Sequence, residues 1–522
     1  MVPLDPAYLS NGRRGGAYGA RSGQNRNCLI IVAIYDYDNA IKRVQRIKRY
    51  LNNSLLSDLF VYYSEVFVQI NPQIFREYDI RGVVNKDLTP DIVRMLGQGF
   101  GTHMAQRDRR KLVVGRDGRL SSEAFEEALI EGLISTGCSV IDIGLCPTPV
   151  YYFSIFHLDR NGGMVVTGSH NPPEFNGFKV SVGKSTIFGE EIQKLRRLIE
   201  KGEFVTGKGN LSKREIIRAY QDYIKKNIHI EKKLRVVIDA GNGTAGVAAG
   251  PLLKDLGCDL EELYCEVDGR FPNHFPDPTI PENLRVLIDR VKKTRADVGI
   301  GYDGDGDRIG VVDEQGNIIW GDQLMILFSR EILKDKKGAT FVAEVKCSQN
   351  LFDDIQKHGG KAMMWRTGHS LIKEKMKEEK AALGGEMSGH IFFADRYFGY
   401  DDAIYASCRL IELLSKTDKK LSRLLGDVPK TFITPEIRVD CSDEIKFRVV
   451  EAVKETLRRD YPVIDVDGVR ARFEDGWGLV RASNTQPALV LRFEALTQDR
   501  LNEIKNLVEK KVHEAVSALQ GR

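Results

Sequence analysis

Three aspartates at alternate positions form the clearest candidate metal site in the chain. Asp303, Asp305 and Asp307 are separated by single glycines in DGDGDR, directly after the buried strand pattern VGIGY. Two bare carboxylates roughly 4 Å apart repel each other by about 4 kcal/mol at an effective dielectric of ~20, so a cation or basic groups must lie beside them. We expect an extended strand end to direct the three carboxylates towards one point, and such an all-oxygen site suits Mg²⁺.

A calcium-binding EF-hand loop is the first alternative for these aspartates. Glu314 stands at the twelfth position counted from Asp303, as that loop requires. The sixth position, however, is Arg308, where the calcium loop requires glycine, and the following IGVVDE is typical of a strand. The pattern therefore favours magnesium, and a solvated turn stays open as the remaining alternative.

A serine on a glycine-flanked turn is the candidate nucleophile. Ser169 lies in TGSHNPP directly after the strand pattern MVV, and His170 next to it could orient the hydroxyl or stabilise a group that it carries. No G-x-S-x-G elbow surrounds the serine, which argues against an esterase. Serine and proline also fill ordinary turns, so this loop alone does not decide its role.

Two further loops carry side chains suited to a phosphorylated sugar. Glu386 and Ser388 lie on the glycine-rich turn GGEMSGH, where they could bind vicinal hydroxyls, and a helix-capping turn is the alternative. Arg481 begins RASNTQP and offers a guanidinium fork for a bidentate anion such as phosphate, with an exposed turn as the alternative. The further donors of that loop are Ser483, Asn484 and Thr485.

Basic residues also recur outside these four loops, and a structural ion pair is the simplest role for each one taken singly. They are Arg81, Arg116, Arg119, Lys179, Lys346 and His369.

The elements that position these loops repeat one theme three times. A strand of continuous Val/Ile character runs into a helix, and a second strand ends in one of the polar loops. We therefore predict an α/β fold with three similar α/β domains containing mixed sheets, followed by a C-terminal α+β domain, around a central cleft. Ligands bind beyond the carboxyl ends of strands in such sheets, which is where the loops lie. The predicted boundaries are 1–66 for an N-terminal extension, then 67–214, 215–317, 318–428 and 429–522 for the four domains.

The N-terminal extension differs from the rest of the chain. It contains nine basic and five acidic residues, and the remaining residues carry equal numbers of both. A Gly/Arg/Ser stretch in it is predicted to be disordered. Residues 41–55 show apolar side chains at helical spacing with basic residues near the opposite face, so binding to a membrane or an acidic partner and packing on the body are both open.

Composition excludes several classes of protein. With 522 residues and a net charge of +4, the chain is too balanced for nucleic acid or a membrane to be its main partner. Its eight cysteines are scattered, which favours reduced thiols in the cytoplasm, and no apolar run reaches the length of a membrane span. We expect a cytoplasmic monomer.

Taken together, a hydroxyl nucleophile, a metal site, a hydroxyl-binding loop and a phosphate-binding loop predict phosphoryl transfer to or from a phosphorylated polyol. The alternative to an enzyme is a phosphosugar-binding protein with the same fold and no catalytic activity.

Four segments resemble the signature loops of the α-D-phosphohexomutases. They are TGSHNPPEFNGFK, DGDGDR, GEMSGH and RASNTQPALVLRFE, in that order. The resemblance runs from about Ile74 to the C-terminus, and GEMSGH is most similar to the bacterial phosphomannomutase/phosphoglucomutase branch. A phosphoglucosamine mutase is the alternative within the same family. Those enzymes typically carry glutamine at the position of Met387. The family offers no counterpart for the first 66 residues.

This resemblance implies a phosphoserine at Ser169, with Mg²⁺ between its phosphate and the three aspartates. Glu386 and Ser388 would bind the sugar O3 and O4 hydroxyls, and the loop from Arg481 would hold the non-reacting phosphate. Cleft positions of the family correspond to Arg81, His170, Lys179, Arg308, Lys346, His369 and His390.

The resemblance also implies a reaction that passes through a hexose 1,6-bisphosphate, which would act as an activator. His170, Lys179 and His390 are the candidates for general acid/base catalysis, and Arg81 is a further catalytic candidate. The last domain is expected to close over bound substrate, because water would hydrolyse the phosphoserine.

Overall fold

The computed structural model describes residues 70–484 and 486–520. The predicted N-terminal extension, its basic helical segment and Thr485 lie outside the described residues. Four separate sheets follow one another along the described chain.

The first domain is built on a mixed sheet of seven strands. Its strands are β1 (Ile80–Val83), β2 (Lys111–Arg116), β3 (Ser139–Leu145), β4 (Gly162–Val166), β5 (Phe175–Val182), β6 (Ser185–Thr186) and β7 (Asn210–Lys213). Its helices are α1 (Pro90–Ala105), α2 (Ser122–Ser135), α3 (Thr148–His157) and α4 (Glu190–Lys201). The strand order is β1-β5-β4-β2-β3-β7, with β6 paired to β5. Strands β4, β2, β3 and β7 run parallel, and β5 returns antiparallel to β4.

The second and third domains repeat this plan on smaller sheets. The second contains α5 (Ile217–Asn227), β8 (Arg235–Asp239), α6 (Gly246–Asp255), β9 (Asp259–Leu263), α7 (Arg285–Thr294), β10 (Val298–Tyr302), β11 (Ile309–Asp313) and β12 (Ile318–Ile319). The third contains α8 (Gly321–Asp335), β13 (Thr340–Glu344), α9 (Gln349–Lys357), β14 (Lys361–Trp365), α10 (His369–Glu379), β15 (Leu383–Gly385), β16 (Ile391–Phe393), α11 (Ala403–Ser415) and α12 (Leu421–Leu424). Their strand orders are β12-β11-β10-β8-β9 and β14-β13-β15-β16. In the second domain β10 runs parallel to β8 and pairs with β11 antiparallel. In the third domain β15 runs parallel to β13 and pairs with β16 antiparallel.

The last domain has an antiparallel sheet covered by helices. It comprises β17 (Phe432–Ile433), β18 (Ile437–Asp440), α13 (Lys446–Leu457), β19 (Val463–Ile464), β20 (Val469–Phe473), β21 (Gly476–Ala482), β22 (Ala488–Ala495) and α14 (Gln498–Gln520). The order is β17-β22-β21-β20-β19, with β18 also paired to β22. Three α/β domains with mixed sheets and one α+β domain are thus confirmed. The predicted domain boundaries stay predictions, and β12 of the second sheet lies just beyond residue 317.

One hydrophobic core joins the first three domains. Because successive strand residues point to opposite faces, each sheet sends alternate side chains to different cores. Val113, Val236 and Phe341, one from each sheet, belong to the same buried cluster. Their neighbours Leu112 and Val237 belong to separate clusters on the other faces. The shared core fixes the three sheets, and the loops at their strand ends, relative to one another.

The last domain has its own core and meets the third domain at a small seam. Leu491 belongs to the domain's own cluster, whereas Trp477 and Leu479 pack with Val345 of the third domain. The buried Arg470 guanidinium lies 3.7 Å from the Trp477 ring centroid and donates to the Val345 carbonyl at 2.7 Å. The loop that begins at Arg481 belongs to this domain and is therefore positioned by specific polar contacts as well as by apolar packing.

Two further findings concern membrane-spanning helices and the cysteines. No helix among residues 70–484 and 486–520 is both long and apolar enough to cross a lipid bilayer. The cysteines in the same ranges are all free, and all but Cys265 are buried.

Candidate active site

The serine loop follows β4 and holds Ser169 in a left-handed backbone conformation, with φ +49°. The Ser169 hydroxyl lies 2.9 Å from Asp303 Oδ2 and 3.2 Å from His170 Nδ1. The hydroxyl has one proton, so it can donate to only one of these neighbours. Burial, together with the charges of Arg308 and Arg81, lowers the pKa of His170 well below its ordinary value. His170 is therefore neutral at pH 7.

A buried arginine clamps this loop. Arg119 donates to the Ser169 carbonyl at 2.8 Å and to the Pro172 carbonyl at 2.6 Å. A side chain at Gly168 would place its Cβ only 2.4 Å from the Arg119 guanidinium, so the close approach requires glycine. Arg119 thus has a structural role, and Arg116 pairs with Glu126 outside the cleft at 2.9 Å.

The three aspartates lie in a turn between β10 and β11, fully buried. The prediction of an extended strand end was wrong, because Gly306 takes φ +75° and reverses the chain. Asp303 Oδ1 accepts from the backbone amides of Asp307 at 3.0 Å and Arg308 at 3.1 Å, which stabilises the turn. The carboxylates converge nevertheless, because one oxygen from each lies within 4.8 Å of the others.

Lys179 from β5 compensates two of these charges. Its ammonium donates to Asp305 Oδ2 at 2.7 Å and also to Asp307 Oδ2. Burial alone would lower the pKa of Lys179, but the two carboxylates raise it above its ordinary value. Lys179 therefore remains protonated at neutral pH.

The donor set fits a hard divalent cation. Among the described residues, Asp305 Oδ1 and Asp307 Oδ1 are buried and accept no hydrogen bond. Ser169 Oγ lies 2.9 Å from Asp303 Oδ2, so a phosphate on Ser169 Oγ would add further oxygen ligands. Oxygen-only ligands suit Mg²⁺ better than softer metals.

The sugar-loop candidates lie on the turn between β15 and β16. Glu386 accepts from the Gly368 amide at 2.8 Å, and Ser388 donates to Glu386 at 3.1 Å. Burial opposes ionisation of Glu386, but His390, Lys346 and His369 hold its pKa below the ordinary value. Glu386 is therefore an ionised acceptor beside a hydroxyl.

Two histidines and an arginine lie beside this turn. Arg308 Nε donates to His390 Nε2 at 2.9 Å, which joins the metal loop to the sugar loop. The rings of His369 and His390 stack with centroids 5.5 Å apart. Burial and the Lys373 charge lower the pKa of His369. His369 is therefore neutral at pH 7.

The phosphate-loop candidates lie between β21 and β22. Arg481 donates to Asp467 at 2.9 Å, and Asn484 donates to the Tyr78 hydroxyl at 2.9 Å. Lys446 donates to the carbonyl of Ser483 at 2.6 Å. Thr485, the fourth predicted member, lies outside the described residues.

One cavity of about 830 Å³ brings most of the predicted residues together. The three aspartates lie buried beside it, and Asn484 contacts Tyr78 at its edge. The predicted residues that line it are Arg81, Ser169, His170, Lys179, Arg308, Lys346, His369, Glu386, Ser388, His390, Arg481 and Ser483.

Sequence reasoning missed several residues of this region. Tyr78 and Arg492 line the cavity, and Arg492 lies within the segment RASNTQPALVLRFE. The Tyr78 hydroxyl also donates to the Thr367 carbonyl at 2.8 Å, so it contacts both the third and the fourth domain. Asp401 and Lys373 lie behind the histidines and carry no motif signal.

Comparison with protein families finds four matching models, in the order of the four sheets. Phosphoglucomutase/phosphomannomutase alpha/beta/alpha domains I, II and III match residues 72–206, 218–316 and 320–432, and the C-terminal domain matches residues 436–511.

Relatives match most of the chain. A phosphomannomutase/phosphoglucomutase of Pseudomonas aeruginosa is 45% identical over 447 residues, which cover 85% of this chain and 96% of the relative. A phosphoglucomutase of Neisseria gonorrhoeae is 43% identical over 442 residues, covering 84% and 96%. The crystal structure of a phosphoglucomutase/phosphomannomutase family protein from Burkholderia thailandensis superimposes with a TM-score of 0.81 at 41% identity, covering 86% of this chain and 98% of the other. The chain belongs to the phosphoglucomutase/phosphomannomutase family, whose members are mutases.

Proposed function

We propose that the protein interconverts hexose 1-phosphate and hexose 6-phosphate, with glucose, mannose or both as the sugar, through a phosphoserine and a hexose 1,6-bisphosphate. The observation that carries this proposal is the Ser169 hydroxyl 2.9 Å from Asp303, beside a cavity that residues of all four domains line. The names of the relatives support the same pair of sugars.

The reaction begins with a phosphoryl group on Ser169. A hydroxyl of the bound phosphosugar attacks that phosphorus atom, the bond to Ser169 Oγ breaks, and the sugar becomes a bisphosphate. The proton of the sugar hydroxyl passes to a base, and Ser169 is left as the serine hydroxyl after protonation. The reverse step at the other phosphate completes the exchange.

Asp303, Asp305 and Asp307, together with the Ser169 phosphate, would hold Mg²⁺. When bound, Mg²⁺ supplies positive charge that offsets the negative charge developing on the transferring phosphoryl group. The fit rests on the convergence of the three carboxylates, of which Asp305 Oδ1 and Asp307 Oδ1 lack hydrogen-bond donors.

Cationic side chains of the cleft also offset the negative charge on the transferring phosphoryl group. Lys179 is held protonated between two carboxylates, so we assign it charge stabilisation and not proton abstraction. Arg81 and Arg308 line the same part of the cavity and add fixed positive charge. His390 is the candidate base, because its Nε2 carries a lone pair, which the sugar hydroxyl reaches once Arg308 donates to a bound phosphate instead.

Substrate recognition is divided between two loops. Glu386 and Ser388 bind the O3 and O4 hydroxyls, while Arg481, Ser483, Asn484 and Thr485 hold the non-reacting phosphate. Lys346 and His369 line the space between them. Glucose and mannose differ at O2, so recognition through O3 and O4 accepts both.

A hexose 1,6-bisphosphate acts as the activator in this scheme, because it restores the phosphoserine when that group is lost. A cytoplasmic monomer whose partners are phosphosugars, without nucleic acid or membrane, completes the proposal.

Coupled assays with glucose 1-phosphate, mannose 1-phosphate and glucosamine 1-phosphate, each with its bisphosphate and Mg²⁺, test the function. We expect turnover of the glucose or the mannose substrate and none with Ser169→Ala. Turnover no higher than that of Ser169→Ala would reject the proposal, and a strong preference for glucosamine 1-phosphate would replace it with the phosphoglucosamine mutase alternative.

A further inference from the structure

A fully buried carboxylate lies behind the two cleft histidines. Asp401 precedes α11, and its Oδ2 atom lies 3.2 Å from His390 Nδ1 and 3.4 Å from His369 Nδ1. Its other oxygen lies 3.0 Å from Lys373 Nζ. Asp401 is absent from the cavity lining, so it acts on the cleft only through these neighbours.

Three groups face the ring of His390: Arg308 at Nε2, Asp401 at Nδ1, and Asp307, whose Oδ1 lies 3.7 Å from the same Nδ1. Arg308 can only donate, and its Nε atom lies 2.9 Å from His390 Nε2, so Nε2 must carry the lone pair. The ring proton of neutral His390 is then on Nδ1, the atom that lies nearest Asp401. Arg308 at one ring nitrogen and Asp401 at the other thus favour the same tautomer.

A cation shared by Asp307, His390 and Asp401 is the other reading of the same geometry, since one atom of each lies within 4.8 Å of the others. Lys373 already contacts Asp401, and Arg308 already contacts His390. Lys373 can neutralise Asp401 without a metal ion, and the two histidine Nδ1 atoms lie within contact distance of Asp401 Oδ2 without an aligned hydrogen bond in this structure.

We propose that Asp401 is a positioning residue for phosphoryl transfer, which holds His390 as the tautomer with its proton on Nδ1 and keeps both histidine rings in place. This inference rests on the proposed mutase function. It assigns Asp401 no contact with substrate.

The adjacent residue provides a matched control. Asp402 is equally buried but accepts from the hydroxyls of Tyr220 at 2.9 Å and Tyr397 at 2.8 Å, away from the histidines. Asp401→Asn keeps the shape of the side chain but offers only one acceptor oxygen, whereas Asp402→Asn makes the same change one residue away.

Steady-state kinetics of the full chain test the proposal. We expect Asp401→Asn to lower kcat by about 100-fold or more, as when a carboxylate that orients a catalytic histidine becomes an amide, with little change in KM. Asp402→Asn should retain kcat. In the His390→Gln background, Asp401→Asn should cost less than about threefold, because both changes disable one unit. Unchanged kcat in Asp401→Asn would overturn the proposal. So would a fall in kcat in the His390→Gln background as large as the fall that Asp401→Asn causes in the wild type.

Nitrogen-15 NMR of histidine-labelled protein gives a second readout. The signal of His390, assigned by its loss in His390→Gln, should show the proton on Nδ1 in the wild type; a proton on Nε2 would overturn the proposal. Because Arg308 favours the same tautomer, the role of Asp401 is tested by Asp401→Asn, which should shift the Nδ1 signal of His390; an unchanged signal would also overturn the proposal. The wild-type assay separates the two claims: absence of mutase turnover rejects the proposed function, while turnover with unaltered kinetics in Asp401→Asn rejects only the positioning role.

Discussion

Asp401 and Asp402 are neighbours in the chain and are both buried, yet they belong to regions of opposite character. Asp401 contacts Lys373 and the two histidines of the cleft wall, His369 and His390. Asp402 faces a tyrosine cluster formed by Tyr220, Tyr397 and Tyr400, in which it also accepts from the backbone amide of Tyr405.

The surroundings decide the charge of each carboxyl group. Burial would raise both pKa values, but Lys373 and the two histidines hold the pKa of Asp401 well below its ordinary value. The hydroxyl and amide donors around Asp402 offset burial only in part, so its pKa rises to about 7. Burial alone therefore does not mark a functional residue. Beside the cleft wall Asp401 stays ionised next to Lys373, whereas in the tyrosine cluster Asp402 is a carboxyl group that connects helices.

The contrast between the cleft and the tyrosine cluster predicts that substitutions in the cleft alter activity most. Asp305→Asn should lower kcat by about 1,000-fold, because it weakens a cation site worth several kcal/mol of transition-state stabilisation. Thermal unfolding should change little, since the new amide oxygen can still accept from Thr148 and Lys179. The measurement is kcat across a Mg²⁺ titration. Glu314→Gln is the control: Glu314 accepts from Ser422 and not from the cleft, so the activity of this variant should equal that of the wild type. Full activity of Asp305→Asn in the presence of a chelator would refute the metal assignment.

Removing a cation from the cleft should expose the cost of its buried carboxylates. Lys179→Met leaves Asp305 and Asp307 uncompensated and should lower the free energy of unfolding by about 3–4 kcal/mol. Added Mg²⁺ should recover part of that loss in chemical denaturation, because it replaces the missing charge.

The matched control for this change is Lys225→Met, which breaks exposed ion pairs and should alter unfolding little. Equal effects of the two substitutions, or no response of Lys179→Met to Mg²⁺, would contradict the idea that cleft charges compensate one another.

In the tyrosine cluster, substitution should alter stability and leave chemistry intact. Asp402→Ala removes the acceptor of two buried hydroxyls and the N-cap of α11, so we expect a loss of about 2–3 kcal/mol in the free energy of unfolding with unchanged kcat. Denaturation and the coupled assay on the same sample check this. A large fall in kcat without loss of stability would remove the distinction between the two regions.

The smallest effect concerns pH. Because the folded pKa of Asp402 lies above its unfolded value, its contribution to stability is complete below about pH 4 and is lost as pH rises through about 7. Asp402→Asn cannot titrate, so the fall in stability between pH 5 and pH 8 should be smaller in this variant by about 2 kcal/mol. Parallel curves for the wild type and the variant would show that Asp402 is ionised at both pH values.

The fold and the four loops could be predicted because short patterns report them. Ser169 and Asp303 lie 134 residues apart, yet each directly follows a buried strand, and the carboxyl ends of such strands carry ligand sites. The aspartate turn was predicted incorrectly, since the pattern DGDGDR does not show which glycine takes a positive φ.

Asp401 and Tyr78 could not be predicted from spacing. The segment FGYDD contains two carboxylates with no sequence difference that separates a cleft-facing group from a structural one. Tyr78 meets Thr367 and Asn484 only through the arrangement of three domains. Such contacts depend on tertiary packing that local patterns do not encode.

A single-turnover experiment tests the central claim most directly. The enzyme is labelled with phosphorus-32 at Ser169 and mixed with unlabelled glucose 1-phosphate and Mg²⁺. We predict that the label leaves Ser169 at the rate of turnover and appears in glucose 1,6-bisphosphate and glucose 6-phosphate. Conversion of glucose 1-phosphate to glucose 6-phosphate while the label stays on Ser169 would contradict the account.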